Sequence, residues 1–331
     1  MTRILIAEPE RFSSRAAEIL AGCGDVELRA ISSDELPEVF ERYDVVWMRL
    51  AHVVDANTLG PSPRCRVLAT PVTGLDRIDL DACQRRGVRV VSLKGESEFL
   101  REVRATAEHT LALLFALLRK IPDASASVRE GRWERDLFPG AELYRKTVGL
   151  VGVGRLGSLV AEYLRVLGAR VIGFDPRPDF PVDVAQRADS LRELAEASDV
   201  VSVHAVYETS TRHLLDGAFF AAMKPGAVLV NTARGGIVDE AALLAAVRSG
   251  HVAGAGFDVF DIEPPQPDHP FFAEPRILLT PHSAGMSLEA TKRSAYQTVE
   301  NILATFDGTL DPAVVVNQEV LQGTARRDRT R

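Results

Sequence analysis

Three side chains suited to acid–base and carboxylate chemistry stand just past apolar runs in the second half of the chain. They are Arg234 in N-T-A-R-G-G-I-V-D-E, Glu263 in F-D-V-F-D-I-E-P-P and His282 in L-L-T-P-H-S-A-G. The arginine's planar fork matches a carboxylate, and Gly235 and Gly236 behind it leave it little steric cover. Histidine is the natural proton carrier near neutral pH, and a neighbouring glutamate would hold its tautomer and favour its charged form. The chain has seven histidines. His109, His204 and His213 compete for the role, His204 most directly because it too ends a strand.

A second stretch binds rather than reacts. Gly152, Gly154 and Gly157 form G-x-G-x-x-G between an apolar run, Val148 to Val151, and a helical pattern. The first glycine permits a tight turn, the second lets a pyrophosphate reach the backbone, and the third lets the helix lie close on a sheet. Leu156, Leu159, Val160, Tyr163, Leu164 and Leu167 make one apolar helix face, and Gly168 stops it. Arg170 to Phe174 is then a strand, and Asp175 ends it, 18 residues past Gly157. A carboxylate there accepts both hydroxyls of an adenine ribose and repels a 2′-phosphate. Arg177 is the one contrary sign, so the expected cofactor is NAD.

These residues need a scaffold that lines up strand ends. Ile4–Ala7, Val26–Leu28, Asp44–Met48, Val67–Ala69 and Val88–Val91 read as buried strands, with helices at Phe12–Ala21 and Asp79–Arg86. A long helix is expected over Ser97 to Lys120, ending at Pro122, and an irregular polar stretch over Asp123 to Arg145. After the glycine turn, strands at Val200–His204, Ala227–Asn231, Ala253–Phe257 and Ile277–Leu279 alternate with helices at Asp216–Met223 and Glu240–Ser249. A last helix covers Leu288–Phe306, and from Gln322 the sequence loses periodicity and is expected to be disordered. The alternation specifies an α/β protein with two parallel-sheet, Rossmann-like or flavodoxin-like layers. Ligands in such sheets sit beyond the carboxyl ends of strands, where all three reactive side chains fall.

Composition narrows the class. At 331 residues, 46% hydrophobic and 26% charged, this is an ordinary globular composition of about two domains. A net charge of −7 argues against a nucleic-acid partner. The longest apolar run, Leu111 to Leu118, is too short for a membrane span, and the opening T-R-I-L-I-A-E reads as a strand rather than a signal segment. Cys23, Cys65 and Cys83 have no metal-ligand spacing, which predicts no metal site and reduced thiols in the cytoplasm.

The glycine turn with its later aspartate, N-T-A-R-G-G-I-V-D-E, G-F-D-V-F-x-x-E-P and T-P-H-x-A-G, in that order, resemble the D-isomer-specific 2-hydroxyacid dehydrogenases, in the phosphoglycerate-dehydrogenase-like branch. The resemblance implies a discontinuous substrate domain, 1–100 and 285–331, an inserted NAD-binding domain, 101–284, and an active site in the cleft between them. It implies that Arg234 holds the substrate carboxylate, His282 moves the hydroxyl proton and Glu263 orients it. Arg155 and Leu156 would offer amides to the pyrophosphate, and Thr73, Ala205, Thr232, Ala233, Asp258 and Gly285 would line the cofactor, Asp258 near the carboxamide. The substrate side would fall to Arg49, the V-T-G-L-D turn with Gly74, and the S-L-K-G loop with Lys94 and Gly95. Lys94 replaces the family's usual apolar or proline residue. With Arg49, and with Arg101 or Arg104, it would suit a second anion such as a phosphate or phosphonate. The family is usually homodimeric. Two alternatives stay open: a dehydrogenase of a non-carboxylate substrate such as a hydroxy-phosphonate, and an NAD(H)-sensing corepressor-like binding protein.

Overall fold

The computed structural model describes residues 1–318; the terminal stretch from Gln322 lies outside the described residues. The chain divides into two compact units. One is residues 1–103 with the chain from Ser287 onward, and the other is Arg104–Met286.

The first unit holds five strands, β1 (Arg3–Ile6), β2 (Asp25–Leu28), β3 (Val45–Trp47), β4 (Val67–Thr70) and β5 (Arg89–Ser92). They form one parallel sheet in the order β2-β1-β3-β4-β5. Side-chain alternation splits its core: Leu5, Val46, Leu68 and Val90 bury into one face, Ile4, Ile6, Val45, Val67 and Val91 into the other. The helix Leu288–Asp307 covers this second face through Val299 and Ile302.

The second unit holds β6 (Thr147–Val151), β7 (Arg170–Phe174), β8 (Gln186–Arg187), β9 (Val200–Val203), β10 (Ala227–Asn231), β11 (Val252–Phe257) and β12 (Ile277–Leu279). Their order is β12-β11-β10-β9-β6-β7-β8, again all parallel. Val148, Leu150, Val228 and Val230 face Leu113 and Leu114 of the helix Ala105–Leu118 and Val160 and Leu164 of the helix Arg155–Val166. Val151, Val201, Val203 and Leu229 face Leu194, Phe219, Phe220, Leu243 and Val247 on the other side. Both faces are covered, so these strands read as continuous apolar runs. Asp239 caps the helix Glu240–Arg248 by accepting the Ala242 N–H at 3.0 Å, which contributes about 1 kcal/mol.

The structure corrects the expected long helix. It is broken into Ser97–Arg101 and Ala105–Leu118, with the break where the chain passes from one unit to the other. Apolar periodicity runs across the break because both flanks are helical. Nor does Pro122 end a helix: it stands in the first turn of another, Ile121–Arg129, entered through Lys120 at φ +52°. Proline lacks only an N–H that the first turn does not use. The helix Leu191–Ala197 and the two-residue strand β8 carry no clear sequence signal, being short and partly exposed.

Candidate active site

The glycine turn is built by close approach. Gly152 has φ +92°, and a Cβ there would lie 2.7 Å from the Ala205 backbone N. A Cβ at Gly157 would lie 2.3 Å from the Gly152 carbonyl oxygen, so only glycine lets the helix Arg155–Val166 start against the turn. Gly154 is different: nothing lies within 4 Å of where its Cβ would stand. That open face, next to the first-turn amides of Arg155 and Leu156, fits a diphosphate.

Asp175 directly follows β7 and is 6% exposed. Its Oδ2 accepts the Val153 N–H at 2.9 Å and Arg177 Nη2 at 3.1 Å, and its Oδ1 accepts Arg177 Nε at 2.9 Å and the Arg177 N–H at 3.1 Å. Burial pushes its carboxyl up, but the guanidinium and the two amides outweigh this and hold it below its ordinary value. Arg187 donates to the carbonyl oxygens of Asp175 and Arg177, both at 3.2 Å. The carboxylate at the end of β7 is therefore covered by an arginine two residues away.

Arg234 follows β10 in an extended conformation and donates from Nη1 to the Ala233 carbonyl at 2.8 Å. Asn231, fully buried, stitches this turn: its Oδ1 accepts the Ala233 N–H at 3.0 Å and its Nδ2 donates to the Arg234 carbonyl at 2.9 Å. The glycines behind Arg234 serve closeness rather than exposure. A Cβ at Gly235 would stand 1.9 Å from the Phe260 carbonyl carbon, and one at Gly236 would stand 2.7 Å from both Tyr207 Cε2 and Asp261 Oδ1. The arginine turn is thus pressed onto the loop that carries Glu263.

Glu263 and His282 meet there. Glu263 Oε2 lies 2.7 Å from His282 Nδ1, and its Oε1 accepts the Phe260 N–H at 3.0 Å. An acceptor-only carboxylate requires the proton on Nδ1, so in the neutral ring Nε2 is the basic nitrogen. The two side chains are 20% and 26% exposed.

The remaining candidates separate. Ala205 lies against the glycine turn, whereas Thr232 spends its hydroxyl on Thr110 at 2.7 Å. Asp258 is fully buried; its Oδ1 accepts the Thr280 hydroxyl at 2.6 Å and the Ser283 N–H at 2.8 Å, and its Oδ2 the Ala284 N–H at 2.8 Å. These bonds shape the turn bearing His282. Gly285 is exposed at the end of that turn. Thr73, Gly74, Arg49, Lys94 and Gly95 belong to the first unit. There Arg49 is not a bare cation: its Nε is 3.3 Å from Glu8 and its Nη2 is 3.6 Å from Glu10. Lys94 is exposed in a short turn whose N–H donates to Ser92 Oγ at 3.1 Å, and Gly95 packs on the Ala313 carbonyl. Thr73 is exposed beside Gly74. Arg104 falls in the second unit, is exposed, and donates from Nη1 to the Tyr163 hydroxyl at 3.1 Å. Sequence reasoning passed over Asn231, Thr280, Thr110 and Tyr207; only Asn231 and Thr280 sit inside quoted motifs.

His204 also closes on the glycine turn. Its Nε2 pairs with Ser202 Oγ at 2.9 Å, and burial pushes the imidazole down to about 4. A ring kept neutral in this way is a packing element rather than a proton carrier. Among the described residues no cluster of three or more His, Cys, Asp or Glu could hold a metal, and no helix is long and apolar enough to cross a membrane. Cys65 and Cys83 are buried thiols, both pushed up to about 12 by burial.

A parallel sheet with a glycine-turn nucleotide cradle and an arginine, glutamate and histidine gathered past its strand ends defines a dinucleotide-dependent oxidoreductase class. Residues 111–284 match the model of the D-isomer specific 2-hydroxyacid dehydrogenase NAD binding domain. The chain is 38% identical over 317 residues to D-3-phosphoglycerate dehydrogenase of Mycobacterium tuberculosis, covering 92% of this chain and 59% of that protein. It is 36% identical over 285 residues to glyoxylate reductase of Korarchaeum cryptofilum, covering 84% of each. Among solved structures, the TT0316 protein from Thermus thermophilus superimposes with a TM-score of 0.83 at 35% identity, over 94% of this chain and 99% of that one. The chain belongs to the D-isomer-specific 2-hydroxyacid dehydrogenase family, in its phosphoglycerate-dehydrogenase-like branch, and spans about three fifths of the phosphoglycerate dehydrogenases it matches.

Proposed function

We propose that the protein is an NAD-dependent oxidoreductase that moves a hydride between nicotinamide and C2 of a small anionic D-2-hydroxy acid or its 2-keto acid. The observation that carries this is the 2.7 Å Glu263–His282 pair locked beside the Arg234 turn by Gly235. The bound nicotinamide supplies or accepts the hydride at C4. Arg234 binds the substrate carboxylate through its fork and polarises the C2 oxygen. His282 Nε2 takes the hydroxyl proton in oxidation and returns it in reduction, while Glu263 holds the tautomer that leaves Nε2 basic. The Gly152–Gly157 turn would hold the diphosphate, and Asp175 the adenine ribose.

The relatives' names span a phosphorylated three-carbon acid and an unphosphorylated two-carbon one. Lys94 supports a distal anion, although Arg49 already faces two carboxylates. We further propose a cytoplasmic homodimer; scattering-derived mass in solution tests the oligomer. A panel of 2-hydroxy and 2-keto acids, with and without a distal phosphate or phosphonate, followed by NADH absorbance tests the reaction. Turnover of at least one 2-keto acid is expected; none at all would favour a dinucleotide-responsive binding protein.

A further inference from the structure

We propose that His109 is a positioning residue for His282, acting through Thr280 and Asp258. His109 lies on the helix Ala105–Leu118, and its Nε2 is 3.1 Å from Thr280 Oγ1 and 3.6 Å from Asp258 Oδ1. The direction of the first contact follows from counting protons. Asp258 receives four donors on two oxygens, the Thr280 and Ser283 hydroxyls and the Ser283 and Ala284 amides, so it is an acceptor-only carboxylate. Thr280 has one hydroxyl hydrogen, and the 2.6 Å contact commits it to Asp258 Oδ1. Thr280 Oγ1 can then only accept from His109, so the imidazole carries its proton on Nε2. The result is a directed chain: His109 Nε2–H to Thr280 Oγ1, Thr280 Oγ1–H to Asp258 Oδ1.

Asp258 is the anchor of the turn beyond β12. Besides its two carboxylate contacts to the Ser283 and Ala284 amides, its carbonyl oxygen accepts the His282 N–H at 2.7 Å. His282 has φ +50°, a left-handed conformation that costs a non-glycine residue on the order of 1 kcal/mol or more. Such a residue keeps its place only when its surroundings over-determine it. His109 is the last donor of that surround. Without it the Thr280 hydroxyl keeps its bond to Asp258 but loses the donor that polarises it and pins its oxygen, so the Asp258 anchor loosens and His282 drifts from Glu263. Arg234, held separately by Asn231, is untouched. The loss should therefore appear in proton transfer rather than in substrate binding.

The kinetic arm rests on the dehydrogenase reading; the exchange arm does not. His109→Leu should lower kcat about tenfold, with KM and the NADH Kd within about twofold of wild type. It should also speed amide hydrogen exchange at Ser283 and Ala284 in the cofactor-free protein. His109→Gln, which keeps an N–H near the Nε2 position, should restore most of both. If His109→Leu does not fold, Thr280→Val against Thr280→Ser makes the same comparison. Wild-type kcat and exchange in His109→Leu, or a His109→Gln no better than His109→Leu, would overturn the proposal. A wild-type protein inert toward every acid defeats the dehydrogenase reading, and the exchange rates still decide the role of His109.

Discussion

Each unit's sheet leads its first strand into a turn at the carboxyl edge, and the two turns are chemically opposite. After β1 come Glu8, Pro9 and Glu10; Glu8 accepts the Arg49 N–H at 2.7 Å and, with Glu10, flanks the Arg49 guanidinium. After β6 come Gly152 to Gly157, with an open face at Gly154 and helix-start amides behind it. The first edge is acidic and closed on itself by an ion pair. The second leaves backbone donors available, which suits a diphosphate. Two parallel sheets of similar build thus offer chemically different edges because of a few turn residues.

If chemistry belongs to the second edge, His282→Asn should lower kcat by roughly 10²–10⁴-fold while leaving the NADH Kd unchanged, as steady-state rates and fluorescence titration would show. A near-wild-type rate would remove the proton role. The glycines sharpen the contrast next. Gly154→Val should keep the wild-type melting temperature yet weaken NADH about tenfold or more, since its side chain meets only ligand space. Gly157→Val should instead destabilise the fold by about 1–3 kcal/mol, because it strikes the Gly152 carbonyl. Equal behaviour of the two variants would mean the turn has no ligand side.

A smaller effect concerns the cover over Asp175. A ribose must compete with Arg177 for saturated carboxylate oxygens, and a 2′-phosphate could take the guanidinium instead. Arg177→Ala should shift the ratio of NADPH to NADH Kd by about tenfold in favour of NADH; an unchanged ratio would show that Arg177 does not face the cofactor. A further effect is in stability. His204, at about 4 in the folded protein and about 6.5 unfolded, stays neutral where the unfolded chain takes up a proton. Folding stability should therefore fall as pH drops from 6.5 toward 4 and gain nothing from this group above 6.5. Urea midpoints across that range should show a shallower slope in His204→Gln.

Much of the second unit was legible because its signals are local. The glycine spacing, the Leu156–Leu167 stripe and Asp175 each lie within one strand–helix–strand segment. What misled was what periodicity and composition cannot see. The helical pattern ran through the break at residues 102–104, and Pro122 looked like a terminus although it opens a helix.

The sequence by itself determined the parallel α/β class and the glycine turn, and it singled out Arg234, Glu263 and His282 as candidates, because glycine geometry, burial periodicity and functional-group chemistry act within a few residues. Only the tertiary structure decided what each charge faces. Gly235 serves the Phe260 backbone, Asp258 the His282 turn, and Arg49 the carboxylates of Glu8 and Glu10. Those outcomes depend on segments far apart along the chain, whose meeting is set by how the strands order themselves in each sheet.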